Sequence, residues 1–211
     1  MARFEPGTPF VEAYGLLLAT LVLGRNGHPV TAVAVAAAGE GDGTTTTVLN
    51  LGMMMARTGR RSLLVDANLR NPQLHRAFDM SQAPGVTEVL SQRHQAADAI
   101  RPTTNSCLDV LPAGELSTPA HALLDVQRLS DLMIELRRSY QFILLDTPPI
   151  LKYPDTLNLA QITDGTILVV PADGSSRRAQ QEARRRLGQV NVKILGAVLN
   201  RVSPRDVGSL S

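Results

Sequence analysis

A glycine-rich run, Ala38-Gly39-Glu40-Gly41-Asp42-Gly43-Thr44-Thr45-Thr46-Thr47, has the residue types of a phosphate-binding loop. The apolar stretch 30–37 before it reads as a buried strand, and Val48 to Met53 after it reads as the start of a helix. In a strand–glycine turn–helix arrangement the backbone N–H groups converge on an anion and the helix dipole favours it. Gly41, Asp42, Gly43, Thr44, Thr45 and Thr46 are the candidate phosphate contacts. The usual pattern continues Gly-Lys-Ser/Thr, whereas Thr44 follows Gly43 here. Lys152 and Lys193 are the only lysines in the chain, so no lysine lies close in sequence to replace it.

Two further strand-like runs end in carboxylates. Ser62-Leu63-Leu64-Val65 leads into Asp66-Ala67-Asn68-Leu69-Arg70, and Phe142-Ile143-Leu144-Leu145 leads into Asp146-Thr147-Pro148-Pro149. In an open parallel sheet, ligands bind beyond the carboxyl ends of the strands. Asp66 and Asp146 together with the Thr45 hydroxyl would make an oxygen set for Mg²⁺ beside phosphate oxygens. Either aspartate alone reads more simply as a strand end or a turn cap; their joint placement beside a phosphate loop favours one shared site. A lysine near the terminal phosphates is worth about 4 kcal/mol at an effective dielectric near 20, roughly a thousandfold in binding or rate. A threonine hydroxyl in its place offers one hydrogen bond, about 1 kcal/mol net. Weak nucleotide binding therefore fits this loop better than efficient phosphoryl transfer.

The elements that must position these residues follow a β-α-β-α rhythm. Strands are expected at 30–37, 62–66, 108–111, 142–146, 166–170 and 194–199, each a nearly continuous apolar run of the kind a sheet covered on both faces requires. Helices are expected at 10–23, 44–58, 86–92, 119–139, 155–162 and 176–189. The expectation is one α/β domain over 1–211, a doubly wound, mostly parallel sheet with helices on both faces. Residues 1–29 form its lead-in and first helix, and 203–211 form a tail.

With 44% hydrophobic and 19% charged residues and a net charge of +2, the chain offers little reason to expect a nucleic-acid or anionic-membrane binder. One cysteine, Cys107, excludes an internal disulfide and fits a reducing cytosol. No apolar run is long enough to span a bilayer and no secretory leader is evident, so a cytoplasmic location is expected. His28, His75, His94 and His121 lack metal-ligand spacing, Met53-Met54-Met55 reads as core filler, and the arginines of 177–186 with Glu182 read as a solvated helix face.

The ordered set of motifs resembles the cytoplasmic kinase domain of the bacterial tyrosine kinases (BY-kinases) of capsule and exopolysaccharide systems. These are deviant P-loop ATPases related to MinD and ParA. The likeness runs from about residue 8 to 202: Pro9 to Tyr14, the loop through Asn50-Leu51, Leu63 to Pro72 with Leu74-His75, Gly85-Val86, Leu108 to Gly114, Asp146 to Pro149, Asp164-Gly165, and Gly196 to Asn200. The resemblance implies ATP or ADP with Mg²⁺ as cofactors and a place near the base for Asn200. It gives Arg70 a structural or ribose-side role.

The departures are as informative. The family lysine falls at Thr44, or at Asp42 if the loop is slid along the sequence. A second acidic residue falls at Asn68, whose amide cannot accept a proton, and two assembly arginines that follow Glu12 fall at Gly15 and Leu18. The family's C-terminal tyrosine cluster has no counterpart, since the last tyrosine is Tyr153. A degenerate regulatory subunit of polysaccharide synthesis or export is therefore expected, with Asp66 and Asp146 vestigial as catalysts and nucleotide bound weakly or not at all. Its implied partner is the cytoplasmic tail of a membrane-spanning co-polymerase, through which the chain would reach the membrane; family-type rings are not expected. The alternatives are an active kinase or ATPase with an atypical loop, in which Arg70 or Lys152 replaces the lysine, and a partitioning ATPase like MinD or ParA.

Overall fold

Six small residues, Ala32–Ala37, form β1, and every one of them is buried. Alanine and valine let helices approach this strand closely from both sides. The computed structural model describes residues 8–23, 30–116, 120–173 and 176–203. In chain order the helices are α1 (Pro9–Leu23), α2 (Thr44–Arg57), α3 (Leu74–Ala77), α4 (Val86–Leu90), α5 (Ala96–Ala99), α6 (Ala120–Leu123), α7 (Val126–Leu136), α8 (Asp155–Gln161) and α9 (Arg177–Gln189). The remaining strands are β2 (Ser62–Asp66), β3 (Arg101–Pro102), β4 (Leu108–Leu111), β5 (Phe142–Asp146), β6 (Gly165–Pro171) and β7 (Ile194–Asn200).

The strands form one sheet in the order β3-β4-β2-β5-β1-β6-β7. All pairs are parallel except β3–β4, so the mostly parallel, doubly wound fold expected from the sequence is the fold observed. Alternate side chains feed two faces. Val33, Val35, Leu64, Leu144 and Ile167 pack with Tyr14 and Leu21 of α1 and Val48, Leu51 and Met55 of α2. On the other face Leu63, Val65, Ile143 and Leu145 meet Leu129, Leu132 and Met133 of α7, while Ala34, Ala36 and Leu168 meet Ala160 of α8 and Ala183 and Leu187 of α9. Met53 and Met54 pack partly buried beside Met55, as core filler should.

Several element boundaries differ from expectation for identifiable reasons. The first strand begins at Ala32 rather than residue 30, because the N–H groups of Thr31 and Ala32 both donate to the Asp164 carboxylate at 2.8 Å. The helix expected over 119–139 is two helices. Asp125 breaks it by accepting the N–H groups of Gln127 at 3.0 Å and Arg128 at 3.2 Å, which caps α7 afresh. The short elements α3, α5 and β3 were not anticipated. His28 and the tail from residue 204 lie outside the described residues, as does the side chain of His121.

Candidate functional site

The loop after β1 turns on two glycines with positive φ, Gly41 at 74° and Gly43 at 106°. Gly43 is the N-cap of α2, and no side chain caps that end. Helical bonding begins with the Thr47 N–H on the Gly43 carbonyl at 3.0 Å, so the N–H groups of the preceding turn have no partner within the helix. Three of the loop's acceptors are tied down. The Asp42 carboxylate accepts the Gly39 N–H at 2.9 Å, and the Asn200 amide at the end of β7 donates to the Asp42 carbonyl at 2.9 Å. Arg201 donates to the Gly41 carbonyl. A trans peptide points its C=O and N–H in opposite directions, so these two side chains brace the loop from the side opposite the N–H groups of Asp42 and Gly43.

A cleft of about 220 Å³ opens over the loop. Gly39 to Gly41, Gly43 to Thr46, Asn68, Arg70, Asn71, Gln73, Thr147, Pro149 and Tyr153 line it. Of the expected phosphate contacts, Gly41, Gly43, Thr44, Thr45, Thr46 and Arg70 face this space; Asp42 has its carboxylate turned back into the loop, and Asn200 braces the loop from behind.

Asp66 and Asp146 stand opposite each other in register across β2 and β5, and both are fully buried. The Thr45 hydroxyl donates to Asp146 Oδ2 at 2.6 Å. Asp66 Oδ2 accepts the N–H groups of Gln73 at 3.0 Å and Leu74 at 2.9 Å, so it also caps α3. The Oδ1 atoms of both aspartates are buried without a hydrogen-bond partner. Burial pushes both carboxyls above their ordinary range. The neighbouring Asp66 raises Asp146 further, whereas the Thr45 hydroxyl lowers Asp146 and the Leu74, Gln73 and Asn68 backbone lowers Asp66. Two orphaned carboxylate oxygens beside a hydroxyl are hard-oxygen donors, and that set fits Mg²⁺, which needs only one or two carboxylates and keeps its waters. Among the described residues, no group of three or more His, Cys, Asp or Glu is placed to hold a metal ion.

The two cations considered from the sequence have different surroundings. Arg70 grips Asp155 with two arms, Nε to Oδ2 at 2.8 Å and a terminal nitrogen to Oδ1 at 3.3 Å, and its guanidinium carbon lies 4.7 Å from the Tyr153 ring centroid. Lys152 Nζ lies 2.6 Å from Glu40 Oε1 and 5.3 Å from the same ring centroid. Sequence reasoning missed Glu40 and Asp155 as partners, and Asn71, Gln73, Thr147 and Tyr153 as lining residues. Thr147 and Tyr153 lie within ten residues of Asp146, so the end of β5 could have signalled them.

A buried strand, a glycine loop, an uncapped helix N-terminus and paired carboxylates on adjacent strand ends define a P-loop nucleoside-triphosphatase-type domain. The AAA domain family matches residues 30–184. Tyrosine-protein kinase YwqD of Bacillus subtilis (strain 168) is 30% identical over 200 residues, covering 95% of this chain and 84% of the relative. The crystal structure of the VpsO kinase domain superposes with a TM-score of 0.82 at 32% identity, over 92% of this chain and 96% of that one. Cobyrinic acid a,c-diamide synthase from Mycobacterium smegmatis, solved with a bound ATP analog and magnesium, gives a TM-score of 0.70 at 26% identity over 85% of this chain and 80% of that one. The chain belongs to the AAA-domain family, on the branch of the bacterial tyrosine-protein kinases, as the motif resemblance implied.

Proposed function

We propose that this chain is a regulatory member of the bacterial tyrosine-kinase family, serving capsule or exopolysaccharide synthesis or export, that holds nucleoside polyphosphates weakly and transfers phosphate poorly. The observation that carries this reading is Thr44, the first residue of α2 directly after Gly43, where a P-loop places its lysine. The backbone cradle persists and supports binding of ADP or ATP. Thr45, Asp66 and Asp146 would hold Mg²⁺ against the phosphates. Asn68 lines the cleft where a second carboxylate would serve as base, and its amide accepts no proton.

The partner on this reading is the cytoplasmic tail of a membrane-spanning co-polymerase, with the apolar α1 as one contact and the membrane reached only through that partner. Among the described residues, no helix is long and apolar enough to cross a membrane. Calorimetry with MgATP and MgADP against the native chain and Thr44→Lys tests the reading. The native chain is expected to bind weakly and the variant roughly a hundredfold to a thousandfold more tightly. Micromolar MgATP binding with turnover by the native chain would select the second reading, a working ATPase or kinase, which the retained Thr45–Asp146 contact favours. Deleting the gene and scoring capsule against chromosome segregation separates both from a partitioning ATPase.

A further inference from the structure

A triphosphate on a backbone cradle brings more negative charge than N–H groups alone neutralise, so the source of a cation decides what the cleft accepts. Among the described residues three cations are tied to this region. Arg70 has two arms of its fork committed to Asp155, which is only 3% exposed, and its guanidinium carbon lies over the Tyr153 ring. Arg201 sits on the Gly41 carbonyl, on the side of the loop away from the Asp42 N–H. Lys152 differs from both. Its ammonium is held by Glu40 alone among acidic side chains, at 2.6 Å, with the two side chains 53% and 59% exposed. Glu40 and Tyr153, the two groups beside that ammonium, both line the cleft.

An ion pair between two exposed, flexible side chains is weak in water. A lysine ammonium carries three donors on a mobile stem, so it can change acceptors without a change of fold. Glu40 also places a negative charge in the cleft lining, which its paired lysine neutralises; the same charge competes with an incoming phosphate for that ammonium.

We propose that Lys152 is the phosphate-binding cation of this cleft, leaving Glu40 for the terminal phosphate of a nucleoside triphosphate. The inference rests on the reading above that the cleft takes nucleoside polyphosphates. It makes the Glu40–Lys152 pair a latch that distinguishes a triphosphate from a diphosphate, and it makes Lys152 a partial substitute for the loop lysine, from a different strand end and hindered by its own carboxylate partner, in keeping with weak binding.

The test is calorimetric titration of the native chain, Lys152→Met and Glu40→Gln with MgATP and with MgADP. Both positions are exposed, so the fold is expected to be unchanged by circular dichroism and thermal melting. Lys152→Met is expected to weaken MgATP roughly tenfold while leaving MgADP within about twofold, and Glu40→Gln to tighten MgATP by about threefold. The opposite signs matter: if the pair merely braced the loop, breaking it from either side would weaken binding alike. Equal weakening by both variants, or MgATP binding indifferent to Lys152→Met, overturns the latch and leaves weak nucleotide binding standing. No binding of either nucleotide at millimolar concentration by any of the three proteins overturns both.

Discussion

Thr45 donates its hydroxyl to Asp146 at 2.6 Å, and Asp146 stands in register with Asp66 on the neighbouring strand, both aspartates fully out of solvent. Two carboxylates thus share a dry end of the sheet, and each has an oxygen without a partner. A buried acidic pair of this kind disfavours double ionisation unless a cation or a proton joins it.

The pair makes stability depend on pH in a stated direction. An unfolded aspartate titrates near pH 4 (about 3.9). Burial holds both carboxyls above that in the fold, so the native state retains protons that the unfolded state has shed. The contribution is complete below the unfolded value and is lost as pH rises through the raised folded values. Asp146→Asn removes one charge and keeps an acceptor for Thr45. Denaturant unfolding should find the variant more stable than the native chain by roughly 1–3 kcal/mol at pH 8 and by much less at pH 5. An equal difference at the two pH values would contradict the account.

Arg70 is expected to matter for folding. Asp155 is 3% exposed and Arg70 is its bidentate partner, so Arg70→Met strands a buried carboxylate. The loss should be about 2–4 kcal/mol, and the double variant Arg70→Met/Asp155→Leu should lose less than the two single variants summed. A loss below about 0.5 kcal/mol for Arg70→Met would mean that the guanidinium is free for another role.

Self-assembly gives a third expectation. On α1, Glu12 is exposed, while Leu17 and Leu18 pack against the core and Gly15 adds no side chain. Rings of the family type, which the resemblance ties to arginines at the positions of Gly15 and Leu18, should not form. Light scattering at high protein concentration should find no octamer, and an octameric mass would contradict this. Leu16 is 73% exposed, the most exposed large apolar side chain among the described residues, and it offers α1 a contact for a partner.

What could be read from the sequence divides along a physical line. The apolar runs 62–66, 108–111 and 142–146 are β2, β4 and β5 with those bounds, because burial on both faces writes itself into consecutive residues. The glycine loop, Asp66 and Asp146 were legible for the same reason, since each sits at a local pattern change. β3 was not, because Arg101–Pro102 holds no apolar run and pairs only through the β4 edge. Nor was α3, whose first N–H groups rest on Asp66 seven and eight residues back. The pairs Arg70–Asp155 and Glu40–Lys152 join residues 85 and 112 positions apart, which no local spacing encodes. Asp155 follows Pro154 at the start of α8, where an acidic residue is favoured by the helix dipole whatever it pairs with, so its type and position do not point to an arginine.

The last prediction concerns the turn that shapes the cradle. Gly43 has φ of 106°, and a Cβ built on it would lie 1.9 Å from the Asn200 amide nitrogen. Gly43→Ala therefore meets two penalties, a left-handed backbone that side chains resist and a collision with the side chain bracing the loop. The expected cost is roughly 2–4 kcal/mol in thermal unfolding, together with loss of MgADP binding, since the first-turn N–H groups move with the loop. Adding Asn200→Ala clears the collision and leaves the backbone strain, so the double variant should regain part of the stability and little of the binding. If Gly43→Ala alone kept both within about 0.5 kcal/mol, the close approach of β7 would not be what sets the loop.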